Sequence, residues 1–167
     1  MGETSPKRRG RRPTAAELEV WRRFIETSFD LKARMDRAML AESGLSASDY
    51  AVLLALSRVE DRWLRTSDLA AAVFWERSRL SHHVKRMVDR GLVRRERSAA
   101  DQRGSEVHMT AAGLEALRDA SGPHLRTVRE LFVDALSDEQ QEAVASAMAT
   151  LGEHLERLDP AVRRDPA

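Results

Sequence analysis

Trp75–Val93, WERSRLSHHVKRMVDRGLV, carries the pattern from which the rest of the chain can be read. Taken as a helix, it sorts its residues by face. Leu80, Val84, Met87 and Val88 follow the i, i+4, i+7, i+8 spacing of one apolar stripe. Ser78, Arg79, His82, Lys85 and Arg86 fall on the opposite side, which holds hydroxyl, imidazole and cationic groups and no large apolar residue. Gly91 ends the helix, because glycine readily takes the left-handed conformation of a helix C-terminus. A helix of about 13 residues is about 20 Å long, and such a rod fits the major groove of DNA. A solvated surface helix has the same periodicity, so the neighbouring segments must separate the two readings.

Upstream, Thr66 is placed to cap a short helix, SDLAAAV, with Leu69 and Val73 turned inward. The turn between the two helices falls near Phe74–Arg77. Downstream, Leu92–Arg97 and Ser105–Met109 alternate well enough to form a β-hairpin around the polar loop SAADQRG. Two short helices followed by a hairpin with a long polar loop make a winged helix-turn-helix. The predicted fold is mostly α with a small β-hairpin wing.

The flanks are longer helices. Thr14 and Glu17 have capping-box spacing at the start of a helix over 14–42, with Leu18, Trp21, Ile25, Phe29, Met35 and Met39 recurring at helical intervals. Gly44 breaks it. Ser46 and Asp49 cap the next helix, which runs through Tyr50, Val52, Leu53, Leu54 and Leu56 and is apolar enough to be central. Thr110 opens a helix in which Gly122-Pro123 predicts a kink or short break. Ser137 and Gln140 box the start of a last helix, with Val144, Met148, Leu151, Leu155 and Leu158 on one stripe. Stripes on such long terminal helices exceed what a small central domain can cover, so a second subunit is expected to bury them. The predicted organisation is a disordered basic tail at 1–13, an N-terminal dimerisation helix at 14–45, the winged helix-turn-helix at 46–109, C-terminal dimerisation helices at 110–160, and a disordered tail at 161–167.

Composition bounds the function. The chain has 167 residues, enough for one domain with its own core. It has no cysteine, which removes disulfides, thiol redox switching and cysteine-held zinc. Its histidines show no metal-ligand spacing, and no metal or cofactor is predicted. No apolar run is long enough for a membrane span, and the basic N-terminus lacks the apolar stretch of a signal peptide. The expected location is cytoplasmic, on the nucleoid when bound to DNA. The formal charge of +1 is unevenly spread. Residues 62–108 carry eleven basic and six acidic side chains, and residues 109–167 carry six and eleven. A basic lobe on an acidic body suits a polyanionic partner. No phosphate-binding glycine loop, nucleophile elbow or metal motif is present, so an enzyme is not expected.

The continuous run LAAAVFWERSRLSHHVKRMVDRGLVRRERSAADQRGSEVHMTAAG resembles the MarR family of bacterial transcription regulators. The similarity rests on Leu69-Ala70, Ser78 and Ser81, Arg90 to Val93, Asp101-Gln102-Arg103-Gly104, and Met109-Thr110 to Gly113. The W-x-x-S-R-L-S-H run and His124 to Arg129 look like an actinobacterial subgroup. The turn departs from the family pattern, with Phe74, Trp75 and Glu76 where a small residue and a Ser or Asp cap are usual. Trp75 either packs under the helix or lies on a DNA backbone, and burial is the expectation for a large aromatic.

The resemblance implies a homodimer on a pseudo-palindromic double-stranded operator, usually a repressor and often released by a small aromatic or anionic effector. Ser78, Arg79 and His82 would then lie at or near base edges, and Lys85 and Arg86 at flanking phosphates. Ser81 sits towards the side, within reach of phosphate, and His83 on the flank should be packed. In the wing, Asp101, Gln102 and Arg103 would meet the minor groove, with Asp101 holding the Arg103 guanidinium. Arg34, Met35 and Tyr50 are candidates for an effector crevice. The competing reading is a dimeric interaction module that keeps the winged-helix shape without binding DNA.

Overall fold

The computed structural model describes residues 11–97 and 105–158. The loop with Asp101, Gln102 and Arg103, most of the N-terminal tail and the 161–167 tail lie outside the described residues. In chain order the elements are α1 (Ala15–Ser43), α2 (Ala47–Ser57), β1 (Trp63–Arg65), α3 (Thr66–Ala72), α4 (Arg77–Asp89), β2 (Val93–Arg97), β3 (Ser105–Met109), α5 (Ala111–Val128), a π-helical turn (Arg129–Val133) and α6 (Asp138–Leu158). The chain divides at Arg34 into two compact units, the second beginning at Met35.

Local chemistry sets the helix starts. At α1 the Thr14 amide donates to Glu17 Oε2 at 2.8 Å, and the Glu17 amide returns to Thr14 Oγ1 at 3.3 Å. At α2 the Ser46 amide donates to Asp49 Oδ2 at 3.0 Å, and the Asp49 amide to Ser46 Oγ at 3.1 Å. At α6 the Ser137 amide donates to Gln140 Oε1 at 3.0 Å. Each box satisfies two amides that the helix itself leaves open. Gly44 and Gly91 stop α1 and α4 with φ of +68° and +73°, a region open to glycine without steric cost.

Three expectations need correction. Thr66 is the first residue of α3, and Arg65 precedes it as N-cap. The Thr66 hydroxyl donates instead to the Ser105 carbonyl at 2.8 Å, because β3 lies beside it. The short break expected at Gly122-Pro123 is absent, since α5 continues through Pro123 to Val128. The irregularity comes later, as the π turn that widens the helix at Arg129. Val88 is 37% exposed, so the buried stripe of α4 is Leu80, Val84 and Met87 with His83 beside it.

The sheet has order β1-β3-β2 and is antiparallel throughout. Val93 pairs with Met109 and Arg95 with Val107, while Leu64 on the third strand pairs with Val107. Alternation sends Val93, Val107 and Met109 into the core beneath α2, α3 and α4. At the foot of the hairpin, Thr110 Oγ1 donates to the Gly91 carbonyl at 2.7 Å and accepts from the Gly113 amide at 3.0 Å. Gly113 is needed here for space. A Cβ at this position would lie 2.1 Å from the Leu92 carbonyl oxygen and 3.2 Å from a Leu53 methyl.

Candidate nucleic-acid interface

Helix α4 is seated by Leu80, Val84 and Met87, which have no exposed surface. That seating turns Ser78, Arg79, His82, Lys85 and Arg86 outward, and all five are exposed. The face-sorting read from the spacing is therefore present in the fold. Ser81 is half-buried at the edge of this face, and its hydroxyl accepts from Arg95 Nη1 at 3.4 Å.

The turn that delivers α4 is tight. Phe74 takes φ of +57°, a left-handed position where most residues cost about 1–2 kcal/mol. The Phe74 amide donates to the Ala71 carbonyl at 3.1 Å and the Trp75 amide to the Ala70 carbonyl at 2.9 Å. These bonds close α3 and bring Trp75 against the core. Its ring stands edge-on to His83, with centroids 5.2 Å apart and planes at 86°. The Arg79 guanidinium carbon lies 4.6 Å from the Trp75 ring centre, a cation–π contact. Trp75 thus packs beneath the helix and supports one of its exposed arginines.

A buried charge fastens the other side of α4. Asp49 is 4% exposed. Its Oδ2 accepts from Arg90 Nη1 at 2.7 Å and from the Ser46 hydroxyl at 2.9 Å. Its Oδ1 lies 2.9 Å from His83 Nε2, close enough for a polar contact but off the line of a good hydrogen bond. Arg90 also donates to the Gly44 carbonyl at 2.9 Å. Burial by itself pushes the Asp49 carboxyl up. The His83 contact, both Ser46 donors and Arg90 outweigh it and hold the group well below the usual carboxylate range.

Two side chains that brace this face of α4 were not singled out from the sequence. Arg95 on β2 is exposed, and its Nη2 donates to Ser105 Oγ at 3.0 Å while Nη1 reaches Ser81. It therefore links α4 to both strands at the wing root. Two-residue alternation from Val93 was the available signal. Asp49 looked like a cap and nothing more, because its second role depends on residues 34 and 41 positions away.

The effector candidates are less gathered. Arg34 pairs with Asp30 on its own helix at 2.9 Å. Met35 is half-buried. Tyr50 is half-buried beside His124, ring centres 4.6 Å apart, and burial lowers the His124 pKa. A cleft of about 290 Å³ lies elsewhere, around Trp63, Leu64 and Arg65, and none of the three candidates lines it. Among the described residues no cluster of His, Asp and Glu is arranged to hold a metal ion. Among them, too, no helix is long and apolar enough to cross a membrane.

Comparison with known proteins gives one family. A model described as the MarR family matches residues 43–104. The transcriptional regulator HosA of Escherichia coli O157:H7 is 37% identical over 98 residues, which are 59% of this chain and 70% of that protein. The MarR family transcriptional regulator AbsC of Streptomyces coelicolor is 36% identical with a TM-score of 0.78, over 87% of this chain and 98% of AbsC. Sco3205, another MarR family transcriptional regulator of Streptomyces coelicolor, was solved in complex with DNA. It is 35% identical with a TM-score of 0.82, over 90% of this chain and 94% of its own.

Proposed function

The chain belongs to the MarR family of DNA-binding transcription regulators, and from that premise we propose that it acts as a homodimeric repressor of a pseudo-palindromic operator, released by a small aromatic or anionic effector. One observation carries the DNA-facing part of the proposal. The face of α4 that the core leaves free bears Ser78, Arg79, His82, Lys85 and Arg86 and no large apolar group. Ser78, Arg79 and His82 take the base edges, while Ser81, Lys85 and Arg86 take phosphates. Asp101, Gln102 and Arg103 complete the contact in the minor groove, where a narrowed A·T-rich segment attracts arginine. The dimer is supported by apolar side chains left open on the terminal helices. Trp21, Phe29, Leu151, Leu155 and Leu158 are each at least 40% exposed. Tyr50, which lies beside His124, is the first candidate for the effector site, with Met35 and Arg34 as further candidates.

The test is titration into duplex DNA from the gene's own upstream region and into random duplex, at several salt concentrations. Two protomers neutralising about four phosphates each predict a slope of log K against log salt near about −7. Half-site centres about 10 base pairs apart should appear in a footprint. A concentration-dependent loss of binding on adding small aromatic carboxylates supports effector release. Absence of binding to either duplex at low salt replaces this reading with a winged-helix interaction module.

A further inference from the structure

Arg86, like Arg79 on Trp75, is an exposed residue of α4 with a partner inside the protein. Its Nη2 lies 2.9 Å from Nδ1 of His83. A guanidinium can only donate, so Nδ1 must be the accepting nitrogen and the imidazole proton sits on Nε2. Nε2 faces Asp49 Oδ1 at 2.9 Å. That carboxylate is itself fixed by Ser46 and Arg90. The Trp75 ring edge packs on the imidazole. His83 is only 7% exposed, so it cannot meet DNA itself. We propose that His83 is a positioning residue for DNA binding: buried at the flank of α4 against the Trp75 ring, its Nδ1 holds the Arg86 guanidinium in the orientation in which it meets a phosphate.

A free arginine side chain loses rotamer freedom when it is fixed on a ligand. An arginine already held by one acceptor has lost part of that freedom before DNA arrives. Guanidinium has five N–H donors, so the bond from Nη2 to His83 leaves four, including both on Nη1, for phosphate oxygens. Lys85, the neighbouring exposed cation of α4, is a point charge on a flexible stem, so for it the same placement would matter less.

This inference rests on the DNA-binding reading of α4, and the experiment keeps the two apart. His83→Gln, His83→Asn, Arg86→Ala and the His83→Gln/Arg86→Ala double variant are compared with wild type for affinity to the upstream duplex, with a thermal melt of each. Gln retains a donor towards Asp49 and loses the acceptor for Arg86. Asn keeps an acceptor near Nδ1 and loses the reach to Asp49. The expected result is a roughly fivefold loss of affinity for His83→Gln, of the order of one charge-assisted contact. His83→Asn should restore affinity to within about twofold of wild type, as expected if the acceptor is what matters. In the Arg86→Ala background, His83→Gln should have no further effect, the signature of two residues acting as one unit. An equal loss from His83→Gln in both backgrounds overturns the proposal, since His83 would then act through the fold at large. So does unchanged or stronger binding by His83→Gln. Should His83→Gln fail to fold, a loss with His83→Asn as large as with Arg86→Ala overturns it equally. A wild-type protein that binds no duplex removes the DNA-binding reading itself, and this inference with it.

Discussion

In the winged lobe, Val52, Leu53, Leu56, Leu69, Leu80, Val84 and Met87 have no exposed surface, whereas Val144, Met148, Leu151, Leu155 and Leu158 of α6 remain between 37% and 67% exposed. Both sets have helical periodicity and similar side chains. They differ in what lies across from them. In the lobe, residues of α1 to α5 and the sheet close around one cluster. In α6 no residue is buried at all. An apolar stripe thus reports that a face is meant to be covered, and leaves open whether the cover belongs to the same chain. The lobe completes itself, and α6 is the part whose completion we assign to a second copy.

Four substitutions break or sharpen that contrast, in falling order of effect. Leu56→Ala should cost about 2–5 kcal/mol in chemical denaturation, the usual loss when a fully buried leucine leaves a cavity. Gly113→Ala should cost about 1–3 kcal/mol or more, because its methyl meets a backbone carbonyl that cannot step aside. A loss below about 0.5 kcal/mol, the range of ordinary surface changes, would show that the hairpin foot gives way more easily than the lobe's packing suggests.

Asp49→Asn should cost about 1–3 kcal/mol at neutral pH by leaving His83 and Arg90 underserved. It should also flatten the acid limb of the stability curve. The native Asp49 carboxyl titrates below its unfolded range. Its stabilisation is therefore present above about pH 4 and lost as pH falls through the native value. A wild type and variant with parallel acid limbs would remove the network from the stability of the lobe. Finally, Leu151→Ala should change the stability of an isolated protomer by less than about 0.5 kcal/mol. In the proposed dimer it should weaken association, seen by sedimentation as more monomer at a given concentration. A variant indistinguishable from wild type in sedimentation would mean that this part of α6 is not the covered face.

What could be read ahead of the structure was what neighbouring residues decide between themselves. The three capping boxes span three residues each, and all three formed. Leu80, Val84 and Met87 went inside because helix geometry fixes their direction once α4 forms. Val88 has the same spacing but sits where the lobe ends, and periodicity carries no information about where a core stops. Pro123 reads locally as a breaker, yet α5 passes through it. The left-handed turn at Phe74 was equally hidden, since glycine or asparagine is the usual signal there. The candidate interface divides the same way. Exposure of its five α4 residues followed from spacing. The contacts that hold Arg79, Arg86 and Arg95 come from Trp75, His83, Ser81 and Ser105, brought together by tertiary packing.

Gly113 has a mechanical meaning beyond the space it saves. The backbone of α5 lies directly on the Leu92 carbonyl at the foot of β2, and Thr110 ties the two with bonds to Gly91 and Leu92. With no side chain between them, there is no soft layer to absorb a twist. Spin labels on α5 and β2 should therefore keep a constant separation with and without DNA, and a changed separation would place a hinge at this junction. Held in this way, α5 and the wing root should turn together, so a torque applied at the far end of α5 would arrive at the exposed face of α4 as rotation of the whole lobe.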